Sequence, residues 1–95
     1  MFLHVTGAKY LNAYKVQVSF NDGRVGVVDL SDALRGSVFE PLQDESVFSQ
    51  LTVDKELDTI SWPNGADLAP EYLYFKAFKD DPTLQEKFKE WGYMA

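Results

Sequence analysis

The sequence contains no cysteine and only one histidine, and both shortages narrow the chemistry open to it. Without cysteine there is no disulfide framework, no thiolate metal site and no cysteine nucleophile. A catalytic triad or a multi-histidine zinc site would depend entirely on His4, which we interpret as a structural or surface residue. The absence of cysteine also fits a reducing compartment, so we expect a cytoplasmic location.

Long apolar runs and excess positive charge are missing as well. No segment approaches the roughly 20 apolar residues needed to cross a bilayer. The first residues lack the basic and then apolar pattern of a signal peptide. The formal net charge of −6 would repel nucleic acid and anionic membranes. We therefore expect neither direct nucleic-acid binding nor membrane binding.

Familiar catalytic motifs are also absent. No nucleophile elbow, zinc-protease motif, Walker A motif or dinucleotide-binding glycine pattern occurs. Asp54, Glu56 and Asp58 alternate like half of a calcium loop, but the glycine and terminal glutamate of such a loop are missing. Solvated turns and helix caps explain these acids. We predict no catalytic residue, no metal site and no cofactor.

What remains is an ordinary globular composition with many aromatic residues. At 95 residues, we expect one domain, residues 1–95, with a single modest core. The aromatic share is 15%, which predicts a core built from a few large side chains.

The clearest local pattern is a β-hairpin. Residues 14–20 place apolar side chains at even positions and polar ones at odd positions, which is typical of a half-buried strand. Asp22 and Gly23 then favour a two-residue turn. Such a turn places Phe20 opposite Val25. The residues predicted to face the core are Val16, Val18, Phe20, Val25 and Val27.

Shorter elements complete the predicted fold. The predicted segments are a first strand at residues 2–5, a helical turn at 31–36 capped by Ser31, a short helix capped by Asp44, and strands at 52–54 and 59–62. Asp81 and Pro82 predict the start of a C-terminal helix that Gly92 ends. The fold class is therefore α+β: a small antiparallel sheet with an N-terminal hairpin or meander, short helices and a C-terminal amphipathic helix.

The stretch "ISWPNGADLAPEYLY", residues 60–74, has two interpretations. In the structural one, Pro63 ends a strand, Asn64 and Gly65 turn the chain, and Asp67 caps a short helical turn. In the functional one, polar and aromatic side chains form a small pocket or a partner-binding face. The candidate residues are Trp62, Asn64, Asp67, Tyr72 and Tyr74.

The C-terminal helix supplies a second candidate surface. Leu84, Phe88 and Trp91 recur at intervals of four and three residues, so they form one apolar stripe. We expect this stripe, or an edge of the hairpin, to bury itself against a partner protein or a second copy of the chain.

Three segments together carry a family resemblance: "FNDGRVGVVDL", "GSVFEPLQDESVFSQL" and "TISWPNGADLAPEYLY". They resemble the domain-of-unknown-function 2442 family of small bacterial proteins. The resemblance implies a compact α+β domain, dimeric in some members, with no established activity and no catalytic residue to carry over. Many members look like halves of toxin–antitoxin pairs. Residues 1–74 are family-like, and residues 75–95 are interpreted as a helical extension that lacks the helix-turn-helix of some relatives.

These observations lead to three functional hypotheses. The first is a non-enzymatic protein-interaction module, the antitoxin-like or accessory component of a small operon. The second is a small-ligand-binding or weakly catalytic domain with its pocket around Trp62 and Asp67. The third is a transcriptional regulator, which the acidic charge opposes.

Overall fold

The computed structural model describes residues 2–94. Its elements are β1 (Val5–Tyr10), β2 (Lys15–Phe20), β3 (Val25–Asp29), α1 (Glu45–Phe48), β4 (Thr52–Asp54), β5 (Thr59–Ser61), α2 (Pro70–Phe78) and α3 (Gln85–Glu90), with 3₁₀ turns at Glu40–Gln43 and Pro82–Leu84. The first three strands form an antiparallel meander in the order β1-β2-β3, and β4 pairs with β5. The α+β class predicted from the sequence is confirmed.

The first strand lies later in the chain than predicted. We predicted a strand at residues 2–5, with Thr6 and Gly7 stopping it, but β1 begins at Val5 and continues through Tyr10. Its pairing with β2 shifts register between Val5 and Gly7. An irregularity of this kind absorbs an extra residue without ending the strand, so the glycine is no stop signal here.

The hairpin turn has three residues instead of the predicted two. The backbone N–H of Phe20 donates to the carbonyl of Arg24 at 2.9 Å, and Val18 lies opposite Gly26. Residues 21–23 form the loop, in which Gly23 adopts a φ of 88°. A three-residue hairpin loop with glycine in the left-handed region is a common alternative to the two-residue turn.

This longer loop turns β3 over relative to the prediction. Val25 and Val27 were expected in the core, but they face solvent with 52% and 51% of their surface exposed, while Val28 is fully buried. Side chains alternate between the faces of a strand, so a shift of one residue exchanges the two faces. The prediction for Val25 and Val27 is therefore wrong, whereas Val16, Val18 and Phe20 are buried as expected.

The inward face of β3 is shaped by its contact with α2. A β-carbon placed on Gly26 would lie 2.9 Å from Cε1 of Phe78 and 3.0 Å from the β-carbon of Ala77. Only a residue without a side chain allows the helix to approach the strand this closely. This glycine therefore positions α2 on the core face of the sheet.

Two predicted helix starts are confirmed and one is wrong. Asp44 and Asp81 accept hydrogen bonds from the backbone N–H groups of Ser46 and Thr83 at 3.0 and 2.8 Å. No helix forms at residues 31–36. There, Ser31 donates its own N–H to the Asp29 carboxylate at 3.0 Å, which closes a turn and does not cap a helix.

The C-terminal stripe forms part of the chain's own core. Leu84 is 6% exposed and Phe88 is fully buried, so neither is available to a partner. Trp91 is only half-buried and packs at the margin. The stripe prediction is wrong for Leu84 and Phe88 because both belong to the buried core of the chain itself. The ring of Phe88 lies 5.2 Å from that of Phe75 in α2. Within residues 2–94, no helix combines the length and apolarity needed to cross a membrane.

Candidate functional site

Trp62 is a core residue. It is 3% exposed, and its ring lies 5.6 Å from the ring of Phe48. Its indole N–H donates to the backbone carbonyl of Phe48 at 2.8 Å. A buried tryptophan whose only polar atom is already paired has nothing to offer a ligand. The interpretation of Trp62 as a pocket wall is therefore wrong.

The turn after Trp62 is built by Asn64. Its side-chain oxygen accepts from the N–H of Ala66 at 3.1 Å, and its amide donates to the carbonyl of Val38 at 2.9 Å. Gly65 has a φ of 90°, as the turn requires. Asn64 thus links this turn to the loop before α1, which is a structural role.

Asp67 does not cap the following helix. It forms an isolated bridge with Ser61 and is exposed. The residue before α2 is Ala69, and no side chain caps the helix there. Pro70 at the first helical position begins α2 without needing an N–H partner. The capping prediction for Asp67 is wrong for this reason.

The two tyrosines of α2 lie elsewhere in the molecule. Tyr72 is half-buried, with its ring 6.4 Å from that of Tyr93. Tyr74 is 1% exposed, and its hydroxyl donates to the Asp22 carboxylate at 2.7 Å. The five candidates of residues 60–74 therefore do not line one pocket, since Trp62 packs on Phe48 while Tyr74 reaches the hairpin turn.

A different pocket lies beside that hydrogen bond. It has a volume of about 230 Å³ and lies where the N-terminal segment, the β2–β3 turn, α2 and α3 meet. Its lining residues are Phe2, Leu3, Asp22, Glu71, Lys87 and Trp91. Of the candidate binding residues named from the sequence, Trp91 lines this pocket, and Tyr74 adjoins it through Asp22, which the sequence had marked as a turn residue.

The N-terminal wall of the pocket is held by Asn21. Its side-chain amide donates to the carbonyl of Phe2 at 2.7 Å, and its side-chain oxygen accepts from the N–H of His4 at 2.9 Å. These two bonds attach the segment before β1 to the hairpin turn. The turn itself is closed by Asp22, whose carboxylate accepts from the N–H of Arg24 at 2.9 Å.

The Asp22 carboxylate is held in its charged form. Burial acts to raise its pKa, but the hydrogen bonds from the Arg24 N–H and the Tyr74 hydroxyl, together with the Arg24 charge, outweigh burial and lower the pKa. Burial, followed by the bond to Asp22, raises the pKa of Tyr74 to about 12. Arg24 also reaches Asp81 at 3.1 Å, which ties the hairpin turn to the start of the C-terminal segment.

The Tyr74 hydroxyl should make the free energy of unfolding depend on pH in the alkaline range. Its pKa is raised on folding, so its contribution to the free energy of unfolding is complete below pH 10 and is lost between pH 10 and about 12. In Tyr74→Phe, the free energy of unfolding measured by urea denaturation should fall less steeply across that pH range. Tyr93→Phe is the matched control, because burial raises the pKa of Tyr93 without a hydrogen-bonded carboxylate. An equal flattening in both variants would contradict the assignment.

The opposite wall of the pocket combines a cation with an indole ring. The ammonium nitrogen of Lys87 lies 5.7 Å from the ring centres of both Tyr74 and Trp91. The two rings are themselves 5.9 Å apart in an edge-on arrangement. Glu71, in the first turn of α2, faces the same space. The pocket thus presents charges of both signs next to apolar surface.

Sequence reasoning missed Asp22, Glu71 and Lys87 as site residues. Asp22 was assigned to the turn alone, and nothing in the local pattern marks the other two. Among residues 2–94, no group of three or more potential metal ligands is present.

Comparison with solved structures gives one strong fold match. A Nitrosomonas europaea protein named "Putative DNA Binding Protein" superposes with a TM-score of 0.75 at 17% identity. The match covers 100% of this chain, which spans 64% of the length of that protein. At this identity the likeness shows the fold alone. No curated protein matches.

The family comparison covers most of the chain. Residues 5–79 match the model described as "Protein of unknown function (DUF2442)". This range includes the hairpin turn with Asp22 and the whole of α2, but it ends before α3. The chain therefore belongs to the DUF2442 family, whose function is unknown.

Proposed function

We propose that this chain is a non-enzymatic protein-interaction module, the antitoxin-like or accessory half of a pair of small proteins. The observation that supports the proposal is the outer edge of β3. This strand is the last of its sheet, and Val25 and Val27 expose about half of their surface there, at 52% and 51%. Exposed apolar edge strands are sites where another chain adds a strand.

The backbone of β3 is oriented for such pairing. Phe20 donates to the carbonyl of Arg24, and Leu30 donates to the carbonyl of Tyr14. The polar groups of the even-numbered residues therefore point towards β2, and those of Val25 and Val27 point away from the sheet. The residues with exposed apolar side chains are thus also the residues with outward-facing N–H and C=O groups.

The opposite edge of the sheet is less accessible. The backbone N–H of Val5, at the start of β1, donates to the carbonyl of Asp58 at 2.9 Å. This bond joins β1 to the loop between β4 and β5. Within the part of the chain described, β3 is therefore the more open of the two edges.

The proposed partner is a protein that contributes an extended segment with β-branched side chains. On the outer face, Val25 lies opposite Ser19 and Val27 opposite Gln17, and the oppositely charged pair Lys15 and Asp29 follows on the same face. Main-chain hydrogen bonds would supply affinity, and side chains packing on the two valines would supply specificity. A second copy of this chain can meet the same requirements, which makes a homodimer the alternative outcome.

Lysine substitution on β3 tests the proposal. We expect Val25→Lys combined with Val27→Lys to remove co-purification of a partner from the native host at endogenous expression, because lysine on an edge strand opposes strand addition. The matched control is Leu57→Lys, at an apolar residue that is also 51% exposed but lies between β4 and β5. Both proteins should retain the wild-type urea midpoint.

Three outcomes decide the test. Loss of the partner in the β3 variant alone supports the proposal, and a wild-type dimer in light scattering that the β3 variant converts to monomer identifies the partner as a second copy. A monomer that captures the same proteins with and without the β3 substitutions contradicts it.

Direct nucleic-acid binding is not part of the proposal. The name of the Nitrosomonas europaea neighbour raises it, but about 36% of that chain (100 − 64) lies outside the match. The net charge of −6 opposes phosphate contact. We infer a cytoplasmic protein that acts through protein contacts.

A further inference from the structure

We propose that the pocket between the hairpin turn and α3 binds the zwitterion of an α-amino acid with a small apolar side chain. The proposal is independent of the β3 edge, since none of the pocket residues lies on that strand. It concerns a site that the sequence patterns did not indicate.

The first support is the charge of the lining. Asp22 and Glu71 provide two carboxylates, and Lys87 provides an ammonium group. Within residues 2–94, neither Glu71 nor Lys87 has an ion-pair partner within 4.0 Å, although both face the same space. Two charges of opposite sign that have no ion-pair partner among residues 2–94 line one pocket, and they match a ligand that carries both signs.

The Asp22 carboxylate remains able to accept a further donor. One oxygen accepts from the N–H of Arg24. The other accepts from the Tyr74 hydroxyl at 2.7 Å and lies 3.8 Å from the Arg24 guanidinium. Two carboxylate oxygens offer about four acceptor positions, so capacity is left for a ligand ammonium group. Because Tyr74 is buried, the hydrogen bond from its hydroxyl fixes the orientation of this carboxylate.

The second support is the apolar part of the wall. Phe2, Leu3 and Trp91 line the pocket, and Phe2 is 87% exposed. These side chains offer a mainly apolar contact surface to a short aliphatic group, and the indole N–H of Trp91 is the hydrogen-bond donor among them. The Lys87 ammonium lies above Trp91 at 5.7 Å, at the boundary between the charged and apolar parts.

The third support is size. The pocket volume is about 230 Å³, compared with roughly 150 Å³ for a protein cavity that holds benzene, a molecule of six non-hydrogen atoms. Leucine, with nine non-hydrogen atoms, is therefore of a size that this pocket can hold. We therefore assign the ammonium group to Asp22 and Glu71, the carboxylate to Lys87, and the side chain to Phe2, Leu3 and Trp91.

The test is an NMR titration of the full chain with L-leucine, L-leucinamide and N-acetyl-L-leucine. The signal followed is the indole N–H of Trp91, identified by its loss in Trp91→Phe. We expect leucine to shift this signal at lower concentration than either analogue, because leucinamide lacks the carboxylate and N-acetyl-leucine lacks the ammonium group.

Two surface variants assign the charges. Lys87→Gln should weaken leucine binding about fivefold without weakening leucinamide, and Glu71→Gln should weaken leucine about fivefold without weakening N-acetyl-leucine. Lys89→Gln and Glu86→Gln are the controls, since both are exposed residues of α3. Among residues 2–94, their only ion pair is the one that joins them at 3.9 Å. The control variants should bind leucine as the wild type does.

The proposal fails in any of three cases. It fails if leucine does not shift the Trp91 signal at millimolar concentration. It also fails if leucinamide binds as well as leucine, since the pocket would then select cations. Equal weakening by the two α3 control variants would show a general charge effect and would overturn the assignment to this pocket.

Discussion

Replacing Trp62 by alanine is expected to lower the free energy of unfolding by about 3–5 kcal/mol, the usual range for removing a buried aromatic side chain. Two losses combine in this change. The ring leaves a cavity against Phe48, whose ring lies 5.6 Å away, and the carbonyl of Phe48 loses the indole donor at 2.8 Å. Total stability of a small domain is typically about 5–15 kcal/mol, so the variant will be close to its unfolding threshold.

Urea denaturation followed by circular dichroism measures this effect. Trp62→Phe separates its parts, since it retains most of the ring volume and removes the N–H, and we expect a smaller loss of about 1–3 kcal/mol. A change below about 0.5 kcal/mol for Trp62→Ala would contradict a core role and would restore the interpretation of Trp62 as a solvent-facing pocket wall.

Asp67→Ala is the matched control in the same turn. A lost helix cap would cost about 0.5–2 kcal/mol. Because Asp67 is exposed and α2 starts at Pro70 without a side-chain cap, we expect a change within about 0.5 kcal/mol. A large loss in Trp62→Ala together with little change in Asp67→Ala would therefore show that this turn is stabilised by core packing at Trp62 and not by a helix cap at Asp67.

The second large effect is expected at Gly26. Gly26→Ala should lower the free energy of unfolding by about 1–3 kcal/mol through overpacking. The new β-carbon would lie 3.0 Å from the β-carbon of Ala77, which has no rotatable side chain to move aside, and 2.9 Å from the ring of Phe78. The helix α2 would have to withdraw from the sheet to accept it.

Gly7 provides the control for Gly26. It also lies on a strand, but an added β-carbon would meet only Ser19 at 3.7 Å, which is an ordinary contact distance. We expect Gly7→Ala to leave the urea midpoint unchanged or to raise it slightly, because alanine restricts the unfolded chain. Equal destabilisation by both variants would mean that the Gly26 effect does not come from the contact with α2.

Several local features could be predicted from the sequence because their causes lie within a few residues. The alternation of residues 14–20 predicted β2 and its buried face, since only one register buries Val16, Val18 and Phe20. Asp44 and Asp81 cap short helices through the N–H groups two residues later, a purely local interaction. The DUF2442 motifs of residues 20–74 also predicted the family correctly.

The register of β3 could not be decided locally. Val25, Val27 and Val28 place apolar side chains on both faces of the strand, so hydrophobic alternation favours neither face. The observed face is the one that presents Gly26 to α2, and this helix lies more than 40 residues further along the chain. The exposed valines on which the proposed interaction depends are a consequence of that distant contact.

The sequence by itself determined the α+β class, β2 and its buried face, two capped helix starts, the family, and the acidic charge that opposes nucleic-acid binding. Only the tertiary structure decided where the apolar stripe of α3 is buried and where a pocket forms. Periodicity shows that a helix has an apolar face but not what covers it, and here the rings of Tyr74 and Phe75 in α2 pack on Phe88. The pocket joins Asp22, Glu71 and Lys87, which no local pattern connects, because only folding brings these distant segments together.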